Sequence, residues 1–304
     1  MRGLFGLVAS VLVGFSAYGA VVLDEESDQV LECPPLENGT PKAGKRVKVT
    51  APEFAGTEVF HTLYLPTRWT PDGPRLPIIF EYTGNYFPRS GSTGRVEDAR
   101  LGFGLSGGRF LWVSLPYVNG NLRENQVTWW GNVEATVQYA KTNVPRIVAK
   151  YNADPSAVFL CGFSRGAIGV NFLGLHDDVV ASLWTGFITH DHFEGVRAWG
   201  RTDWGDPLSK YREEAGRRLR RIKGRPYLVC QSGKEYGTKA YLESELVTIP
   251  NFRFLNFDTE SIQGSFPNTY AKSAHNDTWA YLPSSVRGET WRWMNEVLAS
   301  IQNR

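Results

Sequence analysis

The chain is poor in the features that assign a protein quickly. Only three cysteines, Cys33, Cys161 and Cys230, occur in 304 residues, and so sparse and odd a set excludes a small disulfide-stapled fold. None of them has metal-ligand spacing to another, so no metal site is expected. Cys161 and Cys230 sit in apolar runs and read as small core residues. Charge of one sign is also lacking: 33 Lys and Arg oppose 31 Asp and Glu, a net +2. That balance leaves no electrostatic footprint for nucleic acid or for an anionic membrane. The single basic run, Arg217, Arg218, Arg220, Arg221 and Lys223, follows Glu213 and Glu214 and reads as a solvated helix face. Internal repeats and low-complexity tracts are missing. Beyond residue 20 no apolar run approaches the ~20 residues of a membrane span.

What is there begins with a leader. Arg2 precedes the almost wholly apolar stretch Leu4 to Phe15, and Ala17-Tyr18-Gly19 puts small residues where a signal peptidase cuts, near Gly19 or Ala20. Residues 1–20 are therefore expected to be removed on export to a periplasm or the cell exterior, leaving no membrane segment in the mature form. Residues 21–45 are polar and proline-containing and read as a loose arm. Residues 46–304 suit one large domain.

Within that domain, periodicity alternates between the two regular types. Strand-like runs appear at Arg46-Thr50, Glu58-Leu65, Pro77-Tyr82, Phe110-Leu115, Ala157-Cys161, Leu183-Ile188, Tyr227-Gln231 and Phe252-Phe257. Helical spacing marks Trp130-Tyr151, where Val133, Val137, Ala140, Val144 and Ile147 share a face, then Ala167-Leu175, about 207–222, and Ser284-Ile301. Such alternation predicts an α/β fold with a mostly parallel central sheet flanked by helices on both faces. Functional groups then gather on loops at the carboxyl ends of the strands.

Two stretches match G-x-S-x-G. In Gly162-Phe163-Ser164-Arg165-Gly166 a strand runs straight into the motif and a helix leaves it. That setting lifts a serine clear of the sheet on a tight turn, so Ser164 is the candidate nucleophile. The competing reading is a serine that only caps the helix. In Gly104-Leu105-Ser106-Gly107-Gly108 no strand comes directly before, and the segment reads as a flexible glycine loop.

A serine nucleophile needs a base, an acid and a place for the oxyanion. His275, in the polar loop Ser273-Ala274-His275-Asn276-Asp277 ahead of the last helix, is the candidate base. The acid belongs after the strand Tyr227-Gln231, which selects Glu235; Asp258 and Asp191 are rivals, each at a strand end. Asp191 lies between His190 and His192, a run that can line a pocket. Two backbone N–H donors are required for the oxyanion. Arg165 supplies one, and Asn85, in the turn Thr83-Gly84-Asn85, supplies the other. Tyr117, Trp129, Trp130 and Trp199 fall in or near loops and are candidates for a cleft lining, although packing is the commoner use of such side chains. Residues 189–210 form the one insertion long enough for a lid.

These residues resemble the α/β-hydrolase superfamily over nearly the whole mature chain, and most closely secreted single-domain esterases of the feruloyl-esterase and polyhydroxybutyrate-depolymerase type. The resemblance is carried by Ser164 in its elbow, His275 before the final helix and the Gly84-Asn85 turn. It implies hydrolysis of a small-molecule or polysaccharide-linked ester through an acyl-enzyme, without a metal or organic cofactor. Thr83 stands where many relatives have histidine, and the acid loop carries no aspartate. A serine peptidase acting on short peptides, or a non-catalytic carbohydrate-binding protein that kept the fold, are the competing readings.

Overall fold

The computed structural model describes residues 21–303, except 200, 201, 203, 206, 234–236, 247 and 267–272. The expected leader, residues 1–20, and Glu235 thus lie outside the described residues. Among the described residues nine strands join in one sheet: β1 (Leu36–Glu37), β2 (Arg46–Val49), β3 (His61–Tyr64), β4 (Leu76–Tyr82), β5 (Leu111–Leu115), β6 (Ala153–Phe163), β7 (Gly186–His190), β8 (Tyr227–Ser232) and β9 (Phe252–Phe257). The α-helices are α1 (Leu101–Leu105), α2 (Val133–Lys150), α3 (Arg165–Phe172), α4 (Asp178–Ala181), α5 (Leu208–Leu219), α6 (Thr238–Glu245), α7 (Thr259–Gly264) and α8 (Ser285–Gln302).

The strand order is β1-β2-β3-β5-β4-β6-β7-β8-β9, and every pairing from β5 to β9 is parallel. Only β2 with β3 and β3 with β5 run antiparallel. Every residue of β4, β5, β7 and β8 is buried. Strands buried on both faces read as continuous apolar runs, which is why the sequence showed them without alternation. The chain passes from β4 to β5 on one side and then returns to lay β6 on the other side of β4. That reversal opens a crevice beyond the carboxyl ends of β4 and β6.

Three local differences from the sequence reading matter for the site. First, β7 runs two residues past Ile188, because Thr189 and His190 pair with Gly162 and Phe163 of β6. Asp191 is therefore the first residue beyond the strand. Second, the Gly104–Gly108 segment is not a flexible loop: it is the end of α1 and the turn that follows. A Cβ on Gly102 would come 2.6 Å from the Trp112 ring, and one on Gly104 would come 2.6 Å from Ala280 Cβ. These glycines permit close packing. Third, residues 21–37 are not loose. Arg287 of α8 donates to the carbonyls of Ser27 (2.6 Å) and Gln29 (2.7 Å), Asn295 bonds Leu23 through both its amide groups at 2.9 Å, and β1 pairs with β2.

Candidate active site

Ser164 sits between β6 and α3 with φ 55° and ψ −116°. Non-glycine residues avoid this left-handed region, at a cost of about 1–3 kcal/mol. Asp191 (φ 71°) and Trp129 (φ 51°) share the feature, so three of the six such non-glycine residues described gather at one place. The glycines of the motif explain how the turn is made. A Cβ on Gly162 would stand 2.2 Å from the Gly166 carbonyl, and one on Gly166 would stand 1.8 Å from the Tyr82 carbonyl oxygen. The elbow thus presses α3 against the end of β4, and the Ser164 N–H donates to the His190 carbonyl at 2.9 Å. The Ser164 side chain makes no capping bond to α3.

His275 lies 2.9 Å from Ser164 Oγ through Nε2 and 2.9 Å from Asp191 Oδ2 through Nδ1. A carboxylate on Nδ1 places the ring proton there and leaves the Nε2 lone pair facing the serine hydroxyl. Asp191 is 3% exposed, and its other oxygen accepts from the Ser232 N–H at 2.8 Å. Burial pushes its carboxyl up, but His190, His275 and the Ser232 N–H outweigh burial and hold it below the ordinary value. The turn behind His275 is fixed in place, with the Asn276 carbonyl 2.9 Å from His190 Nε2 and its side chain accepting from Gln263 at 2.8 Å.

Of the three acid candidates, the structure brings Asp191 to His275, while Glu235 lies outside the described residues. Nδ1 of His275 has one proton to give, and Asp191 accepts it. Asp258 is occupied otherwise: its carboxylate caps α7 by accepting from the N–H groups of Glu260 and Ser261. His190 is wholly buried, whereas His192 faces the cavity, its ring 5.0 Å from that of His275. Burial, followed by the neighbouring His275 and Arg197, lowers His192 to about 3, so it is neutral near pH 7.

Both candidate oxyanion donors border the same cavity as Ser164. Arg165 begins α3, where the first N–H groups have no partner within the helix. The Asn85 side chain accepts from the Trp129 N–H (2.7 Å) and its carbonyl from Ser92 Oγ (2.6 Å). Its own N–H donates to no described residue. The Arg165 side chain, 1% exposed, is a feature the sequence reading did not use. It turns inward and donates to the carbonyls of Trp129 (2.7 Å), Gly84 (2.9 Å) and Gly94 (3.2 Å) and to Thr83 Oγ1 (3.2 Å). A signal existed: a cation in the first turn opposes the helix dipole, so this arginine needed partners elsewhere.

The cavity holds about 430 Å³ and is walled by Trp129, Trp199, Phe87, Ile168, His192 and Arg197. Tyr117 and Trp130 are core residues. The wall after Asp191 is clamped by α5. Arg218 bonds the buried Glu194 carboxylate (2.5 and 2.9 Å), and Arg212 donates to the carbonyls of Gly195 and Val196, each at 2.9 Å. No cluster of three His, Cys, Asp or Glu side chains among the described residues could hold a metal ion. Nor is any described helix long and apolar enough to cross a membrane.

No protein-family model and no curated protein matches the chain. Solved structures do. A sugar hydrolase from Lactococcus lactis superposes with a TM-score of 0.54 at 15% identity, over 85% of this chain and 99% of that one. A feruloyl esterase module from Clostridium thermocellum, complexed with sinapinate, gives 0.49 at 14% identity over 93% and 95%. A glucuronoyl esterase from Solibacter usitatus gives 0.41 at 14% over 66% and 72%.

Proposed function

The chain has the α/β-hydrolase fold, and on that premise we propose that it is a serine hydrolase of carboxylic esters, with Ser164 as nucleophile, His275 as base and Asp191 as the acid. One observation carries the reading: Ser164 Oγ, His275 and Asp191 form an unbroken relay with two 2.9 Å links, at the mouth of a cavity beyond the carboxyl ends of the strands. Ser164 Oγ attacks the ester carbonyl while Nε2 of His275 takes its proton. The oxyanion that forms accepts from the N–H groups of Arg165 and Asn85, and the Arg165 donor gains from the positive end of α3. His275 then gives the proton to the leaving alcohol. Water attacks the acyl-enzyme with His275 as base again, releasing the acid and restoring Ser164.

A cavity of this volume suits a compact acyl or alcohol group packed against the wall that Trp129 and Trp199 form. The intact relay weighs against a non-catalytic carbohydrate-binding role. Residues 1–20 are proposed to direct the chain out of the cytoplasm before it acts. Hydrolysis of p-nitrophenyl acetate and butyrate by the purified protein, together with labelling of Ser164 by a fluorophosphonate, tests the assignment. Activity lost in Ser164→Ala and His275→Ala is the expected result. A folded wild-type protein that neither turns over these esters nor reacts with the probe would overturn it.

A further inference from the structure

Among the described residues three arginine side chains are nearly buried, and two of them, Arg165 and Arg287, are each 1% exposed. Neither ion-pairs with any described carboxylate, and each is held by backbone carbonyls and an aromatic face. Arg287 donates to the carbonyls of Ser27, Gln29 and Tyr281 and lies 4.6 Å from the Trp291 ring centre. Arg165 donates to those of Trp129, Gly84 and Gly94 and lies 3.8 Å from the Tyr117 ring centre. Burial lowers both, to about 10, so both remain cations at neutral pH. The construction is the same, but what it ties together differs. Arg287 pins the arm at residues 21–31 to α8. Of the residues Arg165 holds, Trp129 walls the cavity beside Ser164, and Thr83, Gly84 and Gly94 belong to the loop that carries Asn85.

We propose that the Arg165 side chain is a positioning residue that sets the spacing between the two oxyanion donors. Its backbone N–H is one donor. Its guanidinium grips the Gly84 carbonyl, which belongs to the same peptide unit as the Asn85 N–H, so the second donor is fixed relative to the first by one rigid planar group. The Gly94 and Thr83 contacts hold the rest of that loop, and the Tyr117 hydroxyl, under the guanidinium, donates to the Thr83 carbonyl at 2.9 Å. The contact with the Trp129 carbonyl reaches the residue whose N–H orients the Asn85 side chain. A neutral side chain of similar length lacks the three-way fork, and a lysine lacks the planar geometry. The guanidinium also leaves a positive charge, with no described acid beside it, next to the peptide that must face an oxyanion.

This inference rests on the esterase reading, and the experiment separates the two. Steady-state kinetics on p-nitrophenyl butyrate, binding of an aryl boronic acid as a tetrahedral analogue, and Tm are measured for wild type, Arg165→Gln, Arg165→Lys and Arg287→Gln. For both Arg165 variants kcat is expected to fall about 10²-fold, as for a lost oxyanion donor, with KM within about twofold and boronate affinity falling in step with kcat. Arg287→Gln should lose roughly 5–10 °C of Tm and keep its kcat. If Arg165→Gln lowers only Tm, as Arg287→Gln does, or changes KM alone, the proposal is overturned. If neither Arg165 variant folds, Thr83→Val decides, because it removes one ligand of the guanidinium within an intact loop: reduced kcat at constant KM supports the proposal, and unchanged kcat overturns it. An inactive, unlabelled wild type would remove the esterase reading and this one with it.

Discussion

Two stretches of this chain spell G-x-S-x-G, and the fold treats them in opposite ways. In the Gly162–Gly166 copy, a strand delivers the serine to a left-handed turn and a helix starts on the next residue. In the Gly104–Gly108 copy, Ser106 follows α1 in ordinary right-handed geometry, is fully buried, and spends its hydroxyl on the Phe103 carbonyl at 3.0 Å. The glycines differ in the same way. Those around Ser164 exist because backbone meets backbone, whereas those around Ser106 make room for Trp112, Ala280, Trp291 and Phe103. A motif written in residue types is a statement about chemistry only when the elements on either side give it that geometry.

The comparison can be broken most directly by exchanging the serines for alanine. Ser164→Ala should lower kcat about 10⁶-fold, with His275→Ala close behind, while Ser106→Ala leaves turnover of p-nitrophenyl butyrate unchanged. Equal losses at the two positions would remove the distinction. Next in size, Asp191→Asn should cost about 10⁴-fold in kcat, because an amide no longer selects the His275 tautomer. Glu235→Gln should leave the rate as it was; a fall matching that of Asp191→Asn would return Glu235 to the triad.

How much of this was legible follows from particular residues. The strand–elbow–helix context of Ser164, the place of His275 and the parallel sheet could all be read from pattern. Asp191 could be named but not chosen. The polar pair Thr189-His190 hides the last turn of pairing in β7, and strand ends are set by partners that a single sequence does not show. Placing the acid after β8 selected Glu235, which lies outside the described residues, whereas the carboxylate that reaches His275 stands directly after β7. α1 was missed because its glycines carry the signature of a loop, and only the neighbours they admit explain them. The Arg165 side chain was read for its backbone alone, since nothing local shows where a long side chain ends.

Two smaller effects sharpen the contrast. Gly166→Ala drives a methyl group into the Tyr82 carbonyl. It should destabilise the protein by about 3 kcal/mol or more, a value reserved for strain that cannot relax. Gly108→Ala meets the edge of the Phe103 side chain, not backbone, at 2.9 Å and bears its left-handed backbone, φ 66°, in addition. About 1–2 kcal/mol is expected there, and chemical denaturation of the two variants checks the order. Last, the Asp191 carboxyl is held below its ordinary 3.8 in the folded protein. A folded value below the unfolded one adds stability that is complete above the unfolded value and lost as pH falls through the folded one. The Tm gap between wild type and Asp191→Asn should then stay level down to about pH 5 and narrow below about pH 4. A gap that widens on acidification would contradict that sign.

The hold of α5 on the cavity wall has a consequence for how such a protein changes over generations. Arg212 grips the carbonyls of Gly195 and Val196 and Arg218 grips Glu194, so α5 holds this stretch through groups that precede Arg197. A carbonyl is common to every amino acid, and the grip on position 196 survives whatever side chain drifts in there. Arg197 and Trp199 are tied to the site instead, Arg197 lying 4.3 Å from the Trp199 ring centre and Trp199 packing 4.9 Å from the His192 ring, so a new side chain at either reshapes the cavity wall. A library restricted to positions 197 and 199 would vary that wall while the backbone grip of α5 stays in place.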